Sequence, residues 1–397
     1  MIFNSLGSNY DLAFALSALF AINNKESGHG LTDWLDQKYK GRTTLLYKGR
    51  EAIKLALTLT DIPKGSKVGI NGLTCYVVYQ AVSEAGYKPV FLDLVLGSLN
   101  FDTKNLEKNN DLKALIVQNT LGATVDIKAV KSFCRTRNIV LIEDLAHCAG
   151  SQYNDGTEAG LNGDFTTLSF SQDKMTDAVS GGALVVRNDR FNLLKDGVKF
   201  KSLPLKNQLR DRFYPILTFK IRKLYTVGLG KPFHYFVKKL GILSDPMGSV
   251  KTIEYHKLPD WYSYLVLKRF KNIQHDILHR KMISRSYLKS LDKSIVLPET
   301  ANAVSRSSNV RFPVIVNDRT GLIKYLKAEG VYVSDIWYDA PITPKKLLSR
   351  TGYNGECPVS GSVAERILNL PTHINISLKE AERVSALINT WLNTNQK

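Results

Sequence analysis

Cysteine is scarce in this 397-residue chain, and the four that occur, Cys75, Cys134, Cys148 and Cys357, stand far apart. None forms a C-x-x-C pair and none has a histidine pair beside it at zinc spacing. Neither a disulfide framework nor a metal site is expected, and a reducing, cytoplasmic setting is implied. Long apolar runs are also missing. The longest, Leu12 to Ile22, is too short to span a bilayer. It follows Asp11 rather than a basic segment and has no small-residue cleavage signal, so it does not read as a signal peptide. It reads as an amphipathic or buried helix capped by Asn9 or Asp11. Acids are in short supply: 36 Asp and Glu face 54 Lys and Arg, a formal balance of 54 − 36 = +18. Such a balance favours an anionic partner, whether nucleotide, phosphate, nucleic acid or anionic lipid. No nucleic-acid-binding motif accompanies the charge, so nucleic acid is the weakest of these.

What is present is a globular composition, 44% hydrophobic and 23% charged, in a chain long enough for a sizeable core. From about residue 45, helical and extended patterns alternate. Arg50–Thr60, Tyr76–Ala85 and Ile127–Arg137 carry helical spacing. Lys67–Ile70, Pro89–Leu94, Leu112–Gln118, Ile139–Glu143, Phe165–Phe170 and Ala183–Arg187 read as strands. This alternation predicts a mostly parallel sheet covered by helices on both faces. Residues 195–251 differ, with thirteen Lys or Arg against three acids and interleaved aromatic and aliphatic side chains. The remainder mixes strand Val310–Val316 with helices Arg319–Glu329 and Leu378–Leu392, which suggests a smaller α+β domain. The expected organisation is an N-terminal arm and helix (1–40), a large α/β domain (41–194), a basic aromatic-rich insertion (195–255) and a small C-terminal domain (256–397).

The most informative stretch is Ile142-Glu143-Asp144-Leu145-Ala146-His147, followed by Leu168-Ser169-Phe170-Ser171-Gln172-Asp173-Lys174. Asp144 ends one apolar strand and Lys174 follows the next by a short loop, and ligands of open α/β sheets sit outside such strand ends. A carboxylate there pairs with a protonated ring nitrogen, as pyridoxal 5'-phosphate (PLP) chemistry requires. A lysine there, desolvated near another cation, frees its amine for a Schiff base. Taken singly, Asp144 reads as well as a helix cap and Lys174 as a solvated surface lysine. Tyr47-Lys48-Gly49-Arg50-Glu51 places a glycine at the mouth of a helix, where free backbone N–H groups favour a phosphate. The Ser169 hydroxyl adds a hydrogen bond for the same group.

Together these residues resemble the DegT/DnrJ-type sugar aminotransferases, a branch of the fold-type I PLP enzymes. The matching order is Gly49-Arg50-Glu51-Ala52, then Gly65…Val68…Leu73-Thr74, Gly86…Pro89-Val90-Phe91-Leu92-Asp93, Glu143-Asp144…His147…Gly150, Ser169-Phe170…Lys174 and Gly181-Gly182. Gly352-Tyr353…Cys357-Pro358 and Leu370-Pro371-Thr372-His373 resemble the family's end. The resemblance implies that Lys174 bonds the cofactor and moves the proton. It implies that Asp144 pairs with the pyridine nitrogen and that His147 donates to the cofactor hydroxyl. Gly49, Arg50 and Ser169 would hold the phosphate, the first two through backbone N–H. It further implies a nucleotide-linked keto-deoxysugar as acceptor, glutamate as amino-acid donor and a homodimer. Tyr338 and His373 lie where they could face a substrate, with a structural role equally open for each.

Two departures stand out. The resemblance implies an aromatic ring after the Thr74 position, stacked on PLP. Here that residue is Cys75, with Tyr76 beside it, so either Tyr76 serves or apolar contact alone holds the ring. The family's Asn-containing loop, which reaches the partner subunit's phosphate, is not found around Lys251–Pro259. The 195–251 segment reads as a peripheral contact to the inner face of a membrane or to a lipid-linked substrate, or as an elaborated dimer or substrate-covering region with a solvated basic face. Two rival functions stay open. One is another PLP reaction on the same scaffold, such as dehydration or racemisation. The other is a membrane-associated regulatory or scaffold protein without catalysis.

Overall fold

The computed structural model describes residues 1–191, 198–244, 251–333 and 337–395. The chain opens with a two-residue strand β1 (Ile2–Phe3) and helices α1 (Leu12–Phe20) and α2 (Lys25–Tyr39). It then runs through β2 (Arg42–Leu46), α3 (Gly49–Leu59), β3 (Lys67–Asn71), the short β4 (Thr74–Cys75), α4 (Tyr76–Glu84) and β5 (Lys88–Leu92). After α5 (Thr103–Glu107) come β6 (Leu112–Val117), α6 (Ile127–Thr136), β7 (Val140–Asp144), β8 (Phe165–Ser169) and β9 (Gly182–Val186). A helical stretch follows: α7 (Leu205–Tyr225), α8 (Gly230–Lys239), α9 (Asp260–Lys271), α10 (Ile273–Ser290) and α11 (Pro298–Ala303). The chain closes with β10 (Phe312–Ile315), α12 (Arg319–Ala328), β11 (Val331–Tyr332), β12 (Ile342–Thr343), α13 (Pro358–Arg366), β13 (Ile367–Leu370) and α14 (Leu378–Asn395).

Seven strands form one sheet in the order β2-β9-β8-β7-β6-β3-β5. Only β9 runs against its neighbours in it; β5, β3, β6, β7 and β8 pair parallel. Side chains alternate between two cores. Ala114, Ile116, Val140 and Ile142 face Ala52, Ala56 and Val78 of α3 and α4. Leu115, Val117 and Leu141 face Leu31 of α2, Phe133 of α6 and Leu265 of α9. Burial on both faces explains why β6 and β7 read as continuous apolar runs rather than alternating ones. The half-exposed edge strand β2, Arg-Thr-Thr-Leu-Leu, carried no such run and was not among the expected strands.

Local signals account for the helices. Asp126 caps α6 by accepting the Ala129 N–H at 3.2 Å, and Ile127, Val130, Phe133 and Cys134 bury one face at helical spacing. Asp11, one of the two expected caps, accepts the Phe14 N–H at 2.7 Å and starts α1. The smaller layer pairs β10 antiparallel with β13 and β1 parallel with β11, around Phe312, Val314, Leu322 and Ile388.

Packing divides the chain differently from the expected boundary near residue 256. Helix α9 belongs to the large core: Trp261, Leu265 and Phe270 pack with Leu31, Leu35 and Tyr39 of α2, and Trp34 lies 4.4 Å from Phe270 ring to ring. Residues of β1 join the small layer instead. The basic segment forms a helical hairpin, α7 and α8. Arg212 donates to the carbonyls of Ala18, Leu19 and Ala21, and Arg222 to those of Leu6, Gly7 and Tyr10, so α7 lies antiparallel along α1.

Candidate active site

The chemistry gathers at the carboxyl edge of the sheet. Helix α3 begins there with no side chain capping its first turn, so its amides point outward with the positive end of the helix dipole. The approach is close enough to require glycine twice. A Cβ on Gly49 would stand 2.9 Å from the Ser169 Cβ, and one on Gly182 would stand 2.6 Å from the Gly49 nitrogen. Gly49, Ser169 and Gly182 thus form one cradle where β8 and β9 meet α3. Lys48 secures it by donating to Ser180 Oγ at 2.8 Å. Arg50 lines a neighbouring cavity of about 790 Å³, together with Lys48, Arg210, His234 and Lys238.

Asp144, the last residue of β7, is buried; it accepts the Ala146 N–H at 3.0 Å and sits 3.5 Å from Thr167 Oγ1. It makes no ion pair among the described residues. Burial pushes its pKa up to about 6, against the pull of the Ala146 N–H and Lys174. A buried carboxylate in that condition is suited to a protonated partner. Lys174 is partly exposed along its length. Burial of its ammonium end lowers its pKa, with Cys75 and Asp144 pulling the other way. His147 follows on the same turn as Asp144. Burial, then the charges of Lys174 and Arg311, push its pKa well down, so the ring is neutral. Its Nδ1 accepts the Leu121 N–H at 3.4 Å. The proton therefore lies on Nε2, which is free to act as a donor. Tyr338, almost fully buried, places its hydroxyl 3.4 Å from His147 Nδ1 and receives the Gln118 Nε2–H at 3.1 Å.

The loop carrying Lys174 is held from behind by Asp177. This buried carboxylate accepts from Asn9 Nδ2 at 2.9 Å, from the Tyr10 hydroxyl, and from the N–H groups of Asp173 at 2.8 Å and Val179 at 3.0 Å. Both backbone donors have positive φ, 66° at Asp173 and 73° at Val179, strained positions held by these bonds. Arg269 and Arg280 bind Asn9 in turn, at 3.0 and 2.9 Å. The N-terminal arm is thus part of the site's support.

Of the expected site residues, Gly49, Ser169, Asp144, His147 and Lys174 converge, and Tyr338 joins them. Tyr76 does not. It packs on Ile342 and Leu347, 5.7 Å from the Tyr79 ring, because β4 turns it into the crevice beside β12. His373 lies within the fold as well: its Nε2 is 2.8 Å from the Phe3 carbonyl, anchoring β1 rather than facing the site. Asp177, Gln118, Arg311 and Trp337 were not foreseen. Trp337 lies with its ring 4.2 Å from Lys174 Nζ. The buried Asp144 carboxylate, the uncapped α3 N-terminus and the Ser169 hydroxyl fit an aromatic cofactor bearing a basic ring nitrogen and a phosphate.

A mostly parallel sheet with a lysine and a carboxylate at its carboxyl edge is the architecture of the fold-type I PLP-dependent transferases. The chain belongs to the DegT/DnrJ/EryC1/StrS aminotransferase family, whose model matches residues 44–389. It is 24% identical over 347 residues to the UDP-N-acetyl-3-dehydro-alpha-D-glucosamine 3-aminotransferase of Acidithiobacillus ferrooxidans, covering 87% of this chain and 82% of that one. It is 22% identical over 329 residues to a pleiotropic regulatory protein of Geobacillus stearothermophilus, covering 81% and 77%. The fold matches Spr1654 from Streptococcus pneumoniae in its PLP-form, with a TM-score of 0.74, 18% identity and 99% of each chain covered.

Proposed function

We propose that the protein is a PLP-dependent aminotransferase that moves an amine from glutamate to a nucleotide-linked keto-deoxysugar, for surface polysaccharide, glycolipid or natural-product sugars. One observation carries this reading: a pKa-lowered Lys174 and a buried Asp144 with no ion pair among the described residues share the sheet edge with an uncapped helix N-terminus. When bound, PLP supplies the electron sink for exchange of an amine against a ketone. The residues supply the rest. Asp144 holds a positive ring nitrogen in place. Lys174 carries the proton at the reacting carbon, its pKa lowered by burial of its ammonium end. His147 Nε2 donates to a ring substituent, and Gly49, Arg50 and Ser169 bind the phosphate. Lys48, Arg50, Arg210 and Lys238 around the neighbouring cavity suit the diphosphate of a nucleotide sugar.

The test is spectroscopic. Purified protein with PLP should gain a visible band that borohydride converts to a covalent adduct in wild type and not in Lys174→Ala. Glutamate and a keto sugar should then yield an amino sugar by mass spectrometry. Dehydration of the sugar without use of the donor would instead favour another PLP reaction on this scaffold.

A homodimer completes the reading, as does a membrane contact through the hairpin. No helix among the described residues is long and apolar enough to cross a membrane. The α7–α8 hairpin nevertheless exposes Leu205, Leu209 and Phe213 four residues apart on one face of α7, Tyr235 and Phe236 on α8, and Leu240 just past its end. Lys206, Lys220, Lys223, Lys231, Lys238 and Lys239 are exposed among them, which complements an anionic lipid surface. Co-sedimentation with phosphatidylglycerol vesicles, and not with phosphatidylcholine ones, supports this; a lack of binding to both removes it.

A further inference from the structure

A pyridine ring held at Lys174 needs flat apolar cover. At the strand end after Thr74 the chain offers the thiol of Cys75, and the next residue, Tyr76, packs on Ile342 and Leu347. Neither gives a ring at Lys174. Trp337 does. Its ring centroid is 4.2 Å from Lys174 Nζ and 5.6 Å from the Arg311 guanidinium carbon. The same indole lies 4.9 Å from the His147 ring with the planes only 13° apart. The geometry points to Trp337 as the residue that covers the cofactor's ring, taking over the stacking role that Cys75 leaves unfilled.

Two features support the assignment. First, rings stack at centroid separations of about 4.5–7 Å, so no third ring fits between Trp337 and His147 as they stand. A ring joined at Lys174 Nζ begins against the indole face. It either packs on that face or takes the indole's place over His147 with the indole moved outward, and in both cases the indole is its neighbour. Second, the backbone that carries the indole is fastened. Asn369 of β13 donates to the Trp337 carbonyl, and the adjoining Tyr338 hydroxyl is tied to Gln118 and His147. The smaller layer therefore delivers the cover, while the sheet edge supplies the lysine and the carboxylate. The inference rests on PLP being the cofactor.

The experiment titrates cofactor-free wild type, Trp337→Ala and Trp337→Phe with PLP. Occupancy is read from the visible band and indole emission is followed in parallel. Wild-type emission should fall in step with occupancy. Trp337→Ala should bind PLP about tenfold or more weakly, and Trp337→Phe should recover most of that loss. Wild-type affinity in Trp337→Ala overturns the inference and leaves the cofactor reading standing. So does tighter binding in Trp337→Ala, which would make the indole an obstruction. No PLP uptake by wild type, with its melting transition intact, overturns both. Trp337→Phe keeps a ring of similar shape, so a folding defect confined to Trp337→Ala is recognised by comparison.

Discussion

The loop that carries Lys174 and the outward face of the α7–α8 hairpin are both rich in ionisable side chains and treat them in opposite ways. In the loop the charged groups are enclosed and supplied with partners: Asp177 has four donors, and Arg311 lies 3.1 Å from Asp173. In the hairpin six lysines lie in solvent. Enclosed charge demands partners in fixed places, because leaving it unpaired is costly. It therefore specifies geometry, as catalysis requires. Exposed charge is screened and cheap to rearrange, so it attracts a surface without defining a pose.

Substitutions should separate the two regions sharply. The largest effect is expected from Lys174→Ala, which should cut turnover by about 10⁴-fold or more, the upper range for loss of a proton-transferring group. Borohydride trapping should vanish while the melting temperature stays near wild type. Asp177→Ala comes next. It leaves four donors facing a void and should cost about 3 kcal/mol in denaturant unfolding, together with most activity, although Asp177 touches no reacting atom.

The pH dependence is smaller and has two signs. Asp144, with its pKa raised to about 6, loses its charge as pH falls through that value, so affinity for PLP should drop by about tenfold per pH unit below it. Asp144→Asn should bind weakly and flatten this dependence. The cofactor-free protein should gain stability from this group over the same interval. Its folded pKa lies above the ordinary carboxylate value, and the folded state takes up the proton first. The smallest effect on the fold belongs to the hairpin. Lys206→Glu with Lys220→Glu should shift stability by no more than about 0.5 kcal/mol. The same pair should weaken phosphatidylglycerol-vesicle binding at least tenfold, because each surface cation contributes about 1 kcal/mol.

The parts of this molecule legible in its sequence are those encoded locally. β6 and β7 announce themselves as short apolar runs. Asp144 and Lys174 are found by their place just past such runs, and Gly49 by its place at a helix mouth. Gln118 and Tyr338 are 220 residues apart, and Asn9 and Asp177 are 168 apart. No periodicity links either pair, and only the finished fold makes them neighbours. Tyr76 was misleading because adjacency to Cys75 suggested a shared direction. The short β4 pairs with β12 and sends the two side chains to different surroundings. Trp337 carried no local signal at all.

Strand β1 takes its partner from β11, near residue 331, and Asn9 is gripped by Arg269 and Arg280. These anchors leave the ribosome long after the residues they hold. Residues 2–9 must therefore wait for these partners during synthesis, and the lysine loop reaches its final shape only after Arg269 and Arg280 have emerged. Bulk inserted beside β1 would burden that late step.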